Sequence, residues 1–193
     1  YLYTTTTDID SSIPYCLGTW SNKSPLIRAR DSLTGFGTTN AAVAIGSNTP
    51  TTHDCTEEYN GTAWAEGTAT PIGRRSSMAA GTQNAGWVTG GVNIPSQRDC
   101  TSEYDGSSFS AGGALITARY NGAGVGTLTA GLTAGGCRYG ESGGKSCTEE
   151  YDGSSWATGG NLNQARSGIG GSGTQNAATF YGGSLAKPSY TRT

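Results

Sequence analysis

The feature that most constrains this chain is a unit of about 45 residues that occurs four times. Each copy opens with a tyrosine, has a large aromatic residue five positions later, and has an arginine ten positions after that. The successive tyrosines lie 44, 45 and 47 residues apart, and all variation in length falls between the end of one copy and the next tyrosine. Such a pattern predicts a repeat architecture, in which each unit buries its apolar faces against its neighbours.

The repeated positions can be assigned without gaps inside a copy. The tyrosines are Tyr15, Tyr59, Tyr104 and Tyr151. The large aromatic residues are Trp20, Trp64, Phe109 and Trp156. The arginines are Arg30, Arg74, Arg119 and Arg166. Because these residues recur in every copy, we expect them to have structural roles.

Each copy is predicted to form four short strands. Asn60-Gly61, Asp105-Gly106 and Asp152-Gly153 follow the tyrosines, and such pairs are strong hairpin signals because both residues tolerate positive φ. The first copy has Cys-Leu-Gly at 16–18 instead. A second turn is predicted at 37–40, 81–84, 126–129 and 173–176, where the sequences are GTTN, GTQN, GTLT and GTQN. No segment has helical periodicity flanked by caps, so almost no helix is expected.

A four-strand unit repeated at this period indicates an all-β fold, and among such folds the β-propeller. One four-stranded sheet cannot bury both of its faces, whereas twisted sheets packed around an axis bury each face against the next sheet. The strand before the second turn consists of small residues, such as SGIGGSG at 167–173, as a strand near a crowded axis requires. The large aromatic residues are expected to fill the space between sheets farther from the axis.

At these residues the chain resembles the Kelch-like repeat, in which a glycine pair closes one strand and a tyrosine and a tryptophan follow at short spacing. Gly90-Gly91, Gly135-Gly136 and Gly182-Gly183 match that pair, whereas Gly46-Ser47 and Phe109 depart from the pattern. The resemblance covers roughly residues 11–184 and is greatest to a divergent version common in marine phage and bacterial surface proteins. It implies a propeller fold and indicates little about function.

The order of the half-units predicts how the ring closes. The chain begins with a tyrosine–tryptophan hairpin and ends with an arginine-to-glycine hairpin, so pairing of the two completes four blades in one domain, residues 1–193. The competing arrangement is an eight-bladed ring made by two chains. Residues 1–10 and 184–193 lie outside the four units and are expected to be terminal arms, either disordered or adding a strand to a neighbouring copy.

Composition excludes several classes of function. The net charge is −2 and only 13% of residues are charged, so no basic surface for nucleic acid is expected. No apolar run reaches the ~18 residues needed to enter a bilayer as a helix. Low charge, abundant threonine and five cysteines are typical of an oxidising environment, so we expect an extracellular or virion-surface location. Asn22 and Asn60 match the glycosylation sequon.

The cysteines are Cys16, Cys55, Cys100, Cys137 and Cys147, and none has the CxxC spacing of a zinc site. Cys137 and Cys147 flank the longest connection, which suggests a disulfide within one blade. Cys16 is expected on the opposite face of the ring. It is therefore a candidate to bridge stacked copies through Cys55 or Cys100, the alternative being buried thiols.

No constellation for catalysis is expected. His53 is the only histidine and is predicted to lie in a solvated loop, so neither a metal site nor a nucleophile–base pair can be assembled around it. Glu58, Glu103 and Glu150 precede the tyrosines and are expected to form ion pairs with the repeated arginines, not to act as a glycosidase pair. No cofactor is expected.

The sequence therefore favours a structural or adhesive subunit of a virion appendage or extracellular filament, which assembles with copies of itself and contacts surface glycans. The alternative is a soluble lectin that holds sugars at Tyr120, Tyr139 or Trp87. A glycoside hydrolase is the third hypothesis.

Overall fold

A computed structural model of the chain describes residues 22–48, 53–93, 95–141 and 143–185. Within these ranges there are sixteen strands and no helix, which confirms the predicted all-β class. Residues 1–21 and 186–193 lie outside the described part of the chain. The predictions for Tyr15, Cys16 and Trp20 therefore fall outside it as well.

The described strands form three four-stranded sheets and two two-stranded ones, one of which is a short hairpin, and all strand pairs are antiparallel. The first sheet has the order β1 (Thr34–Thr38), β2 (Ala41–Ser47), β3 (His53–Tyr59) and β4 (Trp64–Glu66). The second contains β5 (Met78–Thr82), β6 (Ala85–Thr89), β9 (Thr101–Tyr104) and β10 (Phe109–Gly112), with a small hairpin of β7 (Val92–Asn93) and β8 (Ser96–Gln97) between β6 and β9. The third is β11 (Ala123–Thr127), β12 (Ala130–Ala134), β13 (Thr148–Tyr151) and β14 (Trp156–Thr158). The fourth is β15 (Ser167–Thr174) and β16 (Ala177–Ser184), so Ser184 belongs to the last strand and not to an arm.

Each predicted hairpin after a described tyrosine forms at the expected position. The turn glycines Gly106 and Gly153 both have φ of 95°, a conformation that side chains disfavour. Asp105 accepts hydrogen bonds at Oδ1 from the backbone N–H groups of Ser107 and Ser108, at 2.8 and 2.7 Å. Local sequence chemistry therefore determines these turns, since the aspartate side chain satisfies the backbone of its own loop.

The small-residue strands are the ones that pack against one another. β1 contacts β5, β5 contacts β11, and β11 contacts β15. Close packing explains the small residues: a Cβ on Gly131 would lie 2.6 Å from Nε1 of Trp87 in the preceding sheet, and one on Gly124 would lie 2.7 Å from the same indole. Glycine on one sheet therefore makes room for a large side chain on its neighbour.

A separate apolar cluster fills each interface between successive sheets. Between the first and second sheets it contains Phe36, Val43, Ile45, Ala79, Val88, Tyr104 and Phe109. Between the second and third it contains Met78, Ala80, Trp87, Leu115, Leu128, Tyr151 and Trp156. Between the third and fourth it contains Ala123, Ala134, Leu162, Ile169 and Phe180. Phe109 and Trp156 thus fill the space between sheets as predicted, whereas Trp64 is half-buried on a face that no described sheet covers.

Backbone hydrogen bonds also link the loops that enter the inner strands. Ser76 N–H donates to Ser32 O at 2.7 Å, Asn121 N–H to Ser76 O at 2.8 Å, and Gly168 N–H to Asn121 O at 2.7 Å. These four residues occupy equivalent positions and have positive φ of 54°, 53°, 58° and 65° in chain order. Three of the four are not glycine, so the left-handed backbone conformation is strained there. It recurs in every copy at the residue whose backbone connects one sheet to the next.

The two ends of this series are open. No contact between β15 and β1 is comparable to those between the other inner strands. Among the described strands, β16 pairs only with β15, whereas β2, β6 and β12 each have partners on both sides.

Candidate functional site

Two of the repeated arginines are buried ion-pair partners that attach a loop to a sheet. Nη2 of Arg119 lies 3.1 Å from Oε1 of Glu149, and the two side chains are 0% and 4% exposed. Nη1 of Arg119 also donates to Cys147 O at 2.9 Å, and Nη2 donates to Thr133 Oγ1 at 2.7 Å. Arg30 makes the equivalent ion pair with Glu57 at 2.9 Å. One guanidinium therefore connects its own loop to two strands of the following sheet.

The carboxylates in these pairs are not the ones expected from the sequence. Glu57 and Glu149 lie two positions before their tyrosines, whereas Glu58, Glu103 and Glu150 immediately precede theirs. The predicted ion pairs of the second set with the arginines are wrong. The reason is the alternation of side chains along a strand, which sends neighbouring residues to opposite faces of the sheet.

Glu57 and Glu149 also satisfy backbone donors in the loops above them. Ile27 N–H donates to Glu57 Oε2 at 2.7 Å, and Ile116 N–H donates to Glu149 Oε2 at 2.7 Å. Each carboxylate thus holds both the arginine side chain and the backbone three residues before that arginine.

The second copy lacks both the carboxylate acceptor and the backbone N–H donor of this contact. Ser102 stands where the loops of Arg30 and Arg119 face Glu57 and Glu149, and Pro71, which has no N–H to donate, stands at the position of Ile27 and Ile116. Arg74 is fully buried and donates to Ser102 Oγ at 2.9 Å and to Val88 O at 3.1 Å. With no carboxylate beside it, burial lowers the pKa of Arg74.

The glutamates that precede the tyrosines bind the tyrosine of the next sheet. The Tyr104 hydroxyl donates to Glu58, and the Tyr151 hydroxyl donates to Glu103. Burial is the main cause that raises the pKa of both tyrosines well above the usual value, and the hydrogen bond to the carboxylate raises it further. The hydroxyls therefore remain protonated donors, and these bonds join successive sheets.

Glutamine of the second turn makes a further link between sheets that the sequence analysis did not identify. Gln83 Nε2 donates to Ala42 O at 3.2 Å and to Tyr59 O at 3.0 Å in the preceding sheet. Gln175 Nε2 donates in the same way to Gly131 O at 2.9 Å and to Tyr151 O at 3.0 Å. The GTQN sequence at 81–84 and 173–176 predicted a turn, but nothing in it indicated that the glutamine binds the preceding sheet.

The predicted disulfide between Cys137 and Cys147 is not formed, and every cysteine within the described ranges is free. Cys147 Sγ accepts a hydrogen bond from Arg119 Nη1 at 2.9 Å. After Gly135 and Gly136, whose φ values are 66° and 97°, the chain turns away, and Cys137 pairs through its backbone with Tyr120. Stacking through Cys16 involves a residue outside the described part and stays a prediction.

The remaining candidate residues are scattered over the surface. Arg166 donates to Gly182 O at 2.8 Å and to Gln164 at 2.9 Å but has no carboxylate partner in the described part of the chain. His53 is half-buried at the start of β3 and not in a loop. Asn22 and Asn60 are exposed. No group of three or more potential metal ligands occurs in the described ranges.

Of the three residues proposed to hold sugars, two are accessible. Tyr139 is 55% exposed and Tyr120 is half-buried. Trp87 is 0% exposed, and its indole N–H donates to Thr127 O at 2.9 Å, so its assignment to sugar binding is wrong.

Comparisons with known proteins do not assign the chain to a family. No family model and no curated protein matches it. In the described part of the chain, no helix is long and apolar enough to cross a membrane.

Proposed function

We propose that this chain closes into a four-bladed, Kelch-like β-propeller and acts as a non-enzymatic structural or adhesive subunit. Its location in this proposal is extracellular or on a virion surface, as part of an appendage or filament. The observation that carries the proposal is the use of the repeated polar side chains. Arginine, glutamate, tyrosine and glutamine are engaged in holding loops to sheets and sheets to one another.

Ring closure is supported by the two uncovered faces at the ends of the series. A groove of about 410 Å³ on the first sheet has Gly35, Ala42 and Ala44 among its lining residues, with Trp64 at its side. On the fourth sheet Tyr181 is 56% exposed. At the described interfaces, large side chains of one sheet pack against small residues of the next. Packing of Tyr181 against the glycine and alanine residues of the first sheet would be a fourth contact of this kind.

The hydrogen bonds between the inner loops support the same closure. Three bonds connect Ser32, Ser76, Asn121 and Gly168 in order. One further bond, from Ser32 N–H to Gly168 O, would complete a circle of four equivalent residues. A circle of four corresponds to four blades; in the eight-bladed ring of two chains the same bond would join Ser32 of one chain to Gly168 of the other.

Tyr181→Ala tests closure directly. In the proposed ring the side chain is covered, so truncation should lower the free energy of unfolding by on the order of 3 kcal/mol. Tyr139→Ala is the matched control, because Tyr139 is 55% exposed and lies away from both end faces. Equal and small effects of the two substitutions in urea unfolding would contradict the ring.

The structural role is tested by assembly. Electron microscopy and light scattering under native, non-reducing conditions should show defined oligomers or filaments of the chain. A protein that stays monomeric at every accessible concentration would contradict self-assembly.

A soluble lectin remains the second candidate, because Tyr139 and Tyr120 present aromatic rings that suit the apolar face of a sugar. A glycan array distinguishes the two: saturable binding that is lost in Tyr139→Ala favours the lectin. The hydrolase hypothesis has less support, since Glu57 and Glu149 are engaged by arginines, and Glu58 and Glu103 by tyrosines.

A further inference from the structure

Two neighbouring loops form a continuous surface at the end of the sheets where the chain enters the inner strands. One loop connects β6 to β9 and contains the hairpin of β7 and β8, and the other connects β12 to β13. The backbone N–H of Tyr139 in the second loop donates to Oε1 of Gln97 in the first, at 2.7 Å. Because Oε1 accepts this bond, the amide nitrogen of Gln97 is left as a donor, and it bonds to no described residue.

Arg75 and Tyr120 lie at equivalent positions at the base of the two loops. Each directly follows one of the repeated arginines. Arg75 pairs through its backbone with Val92, which lies opposite Gln97, and Tyr120 pairs in the same way with Cys137. Residues that lie opposite each other in antiparallel strands direct their side chains to the same face, so Arg75 and Gln97 share a face. A backbone hydrogen bond of 2.8 Å joins the residues that follow Arg75 and Tyr120, which brings the two positions together.

Electrostatic effects on Tyr120 show which groups lie near its hydroxyl. Burial raises the pKa of Tyr120, and Cys137 and Tyr139 raise it further. The guanidinium of Arg75 acts in the opposite direction and lowers this pKa. Tyr120 is half-buried and Tyr139 is 55% exposed. Two phenol rings and one guanidinium therefore meet here, and together with Gln97 they form a tyrosine–arginine surface.

The positive charge of Arg75 is not neutralised within the described part of the chain. Arg75 forms no ion pair with a described residue, and its Nε is buried without a hydrogen-bond acceptor. At the equivalent position of the first copy, the carboxylate of Asp31 accepts the N–H of Asn48 at 3.1 Å. A half-buried charge costs free energy unless an opposite charge or hydrogen bonds compensate it. The guanidinium of Arg75 therefore favours an anionic ligand.

The loop that carries Tyr139 adds to the positive charge. Arg138 and Lys145 both form ion pairs with Glu141, so two cations share one carboxylate and one positive charge is in excess. The chain as a whole has a net charge of −2. The tyrosine–arginine surface thus lies in a locally positive part of a weakly negative protein, which attracts anions.

We infer that the tyrosine–arginine surface binds an acidic saccharide, in which a sugar ring carries a carboxylate or a sulfate group. Arg75 binds the oxyanion through parallel N–H donors, the geometry that a guanidinium offers to such groups. The rings of Tyr120 and Tyr139 pack against the apolar face of the sugar, and Gln97 donates to a sugar oxygen. This inference rests on the adhesive role in the proposed function and gives that role a ligand class.

Calorimetric titration of the full chain with three sets of oligosaccharides of equal length tests the ligand class. One set is neutral, one carries uronic acids and one carries sulfate. An acidic set should bind at least roughly tenfold more tightly than the neutral set, and the tighter of the two acidic sets identifies the oxyanion. Equal affinity for all three would overturn this inference and leave a lectin in place. No binding of any set would overturn the inference and the lectin together, while the assembly experiment would still test the structural role.

Arg75→Gln and Arg98→Gln form a matched pair of variants. Arg98 is also a half-buried arginine without a described ion pair, but it lies toward Arg74: burial lowers the pKa of Arg74, and the charge of Arg98 lowers it further. Arg75→Gln should weaken binding of the acidic saccharide roughly tenfold, whereas Arg98→Gln should change it little. Equal losses would indicate general attraction between charges and would overturn the site.

Urea unfolding of each variant shows whether it is folded when binding is measured. Arg75→Lys keeps the charge but lacks the two parallel donors, so it should bind with intermediate affinity. If Arg75→Gln does not fold, Arg75→Lys and the comparison of saccharides decide the question. Affinity of Arg75→Lys equal to that of the unchanged chain would overturn the guanidinium contact.

Discussion

Replacing Glu149 with Gln should destabilise the protein far more than a similar change at the surface. The glutamine keeps the size of the side chain but removes the charge that faces Arg119, 3.1 Å away. Both carboxylate oxygens accept hydrogen bonds, from Ile116 N–H at 2.7 Å and Thr117 N–H at 3.3 Å. An amide nitrogen cannot replace either oxygen, so at least one buried donor loses its acceptor.

The expected cost follows from burial. Removing one partner of a buried ion pair costs about 3–5 kcal/mol, because the other charge stays in a medium of low polarity. In a domain of this size one kcal/mol corresponds to about 2–4 °C in the melting temperature. Glu149→Gln should therefore lower the midpoint of thermal unfolding by roughly 10 °C, as measured by circular dichroism or calorimetry.

Glu66→Gln is the matched control. Arg28 and Glu66 are 2.7 Å apart, closer than the buried pair, but their side chains are 58% and 63% exposed. Water screens such a pair, so its loss should leave the midpoint nearly unchanged. Equal shifts for the two substitutions would refute the argument that burial, and not the ion pair as such, determines the cost.

The second copy suggests a compensating pair for the same position. In that copy Ser102 replaces the carboxylate of Glu149, and Pro71 lacks the backbone N–H that Ile116 donates to Glu149 in the third copy. Ile116→Pro should therefore be less harmful in a Glu149→Ser background than alone, and urea unfolding of the four proteins would measure the difference. Additive effects would contradict the proposed compensation.

Three further predictions concern a turn, a link between sheets and the cysteines. Hydrogen bonds lower the pKa of Asp152 to about 2, below the ~3.9 of an unfolded chain, so its contribution to stability is present above pH ~4 and is lost as the pH falls toward 2. Asp152→Asn, which copies Asn60, should keep the turn and reduce this loss in thermal unfolding between pH 5 and 2; an unchanged pH profile would contradict it. Gln175→Leu should cost about 1–3 kcal/mol in urea unfolding through two lost hydrogen bonds, since Leu128 shows that leucine is tolerated there; no loss would mean that the link is unimportant. The cysteines of the described part should all be alkylated under denaturing, non-reducing conditions, and a mass showing a Cys137–Cys147 disulfide would contradict the structure.

Local features of the fold were predictable because their causes lie within a few residues. The Asp-Gly pairs at 105–106 and 152–153 both form hairpin turns. In each turn the aspartate accepts hydrogen bonds from backbone N–H groups of the loop, and the glycine adopts positive φ. The absence of helical periodicity likewise predicted an all-β chain. Features that join distant residues were not predictable: the sequence placed Glu103 beside an arginine, but the structure places it on Tyr151.

The sequence by itself determined the spacing of four equivalent units, the turns within them and the small residues of the inner strands, because local backbone preferences and periodicity set these features. Only the tertiary structure decided which face of a strand each glutamate uses, that Trp87 is buried, and that Cys147 meets Arg119 instead of Cys137. The physical reason is the alternation of side chains along a strand. Register and the packing of neighbouring sheets determine the direction of each side chain, and both depend on distant residues: Tyr151 lies opposite Gly131 in its own sheet and binds Glu103 of the preceding one.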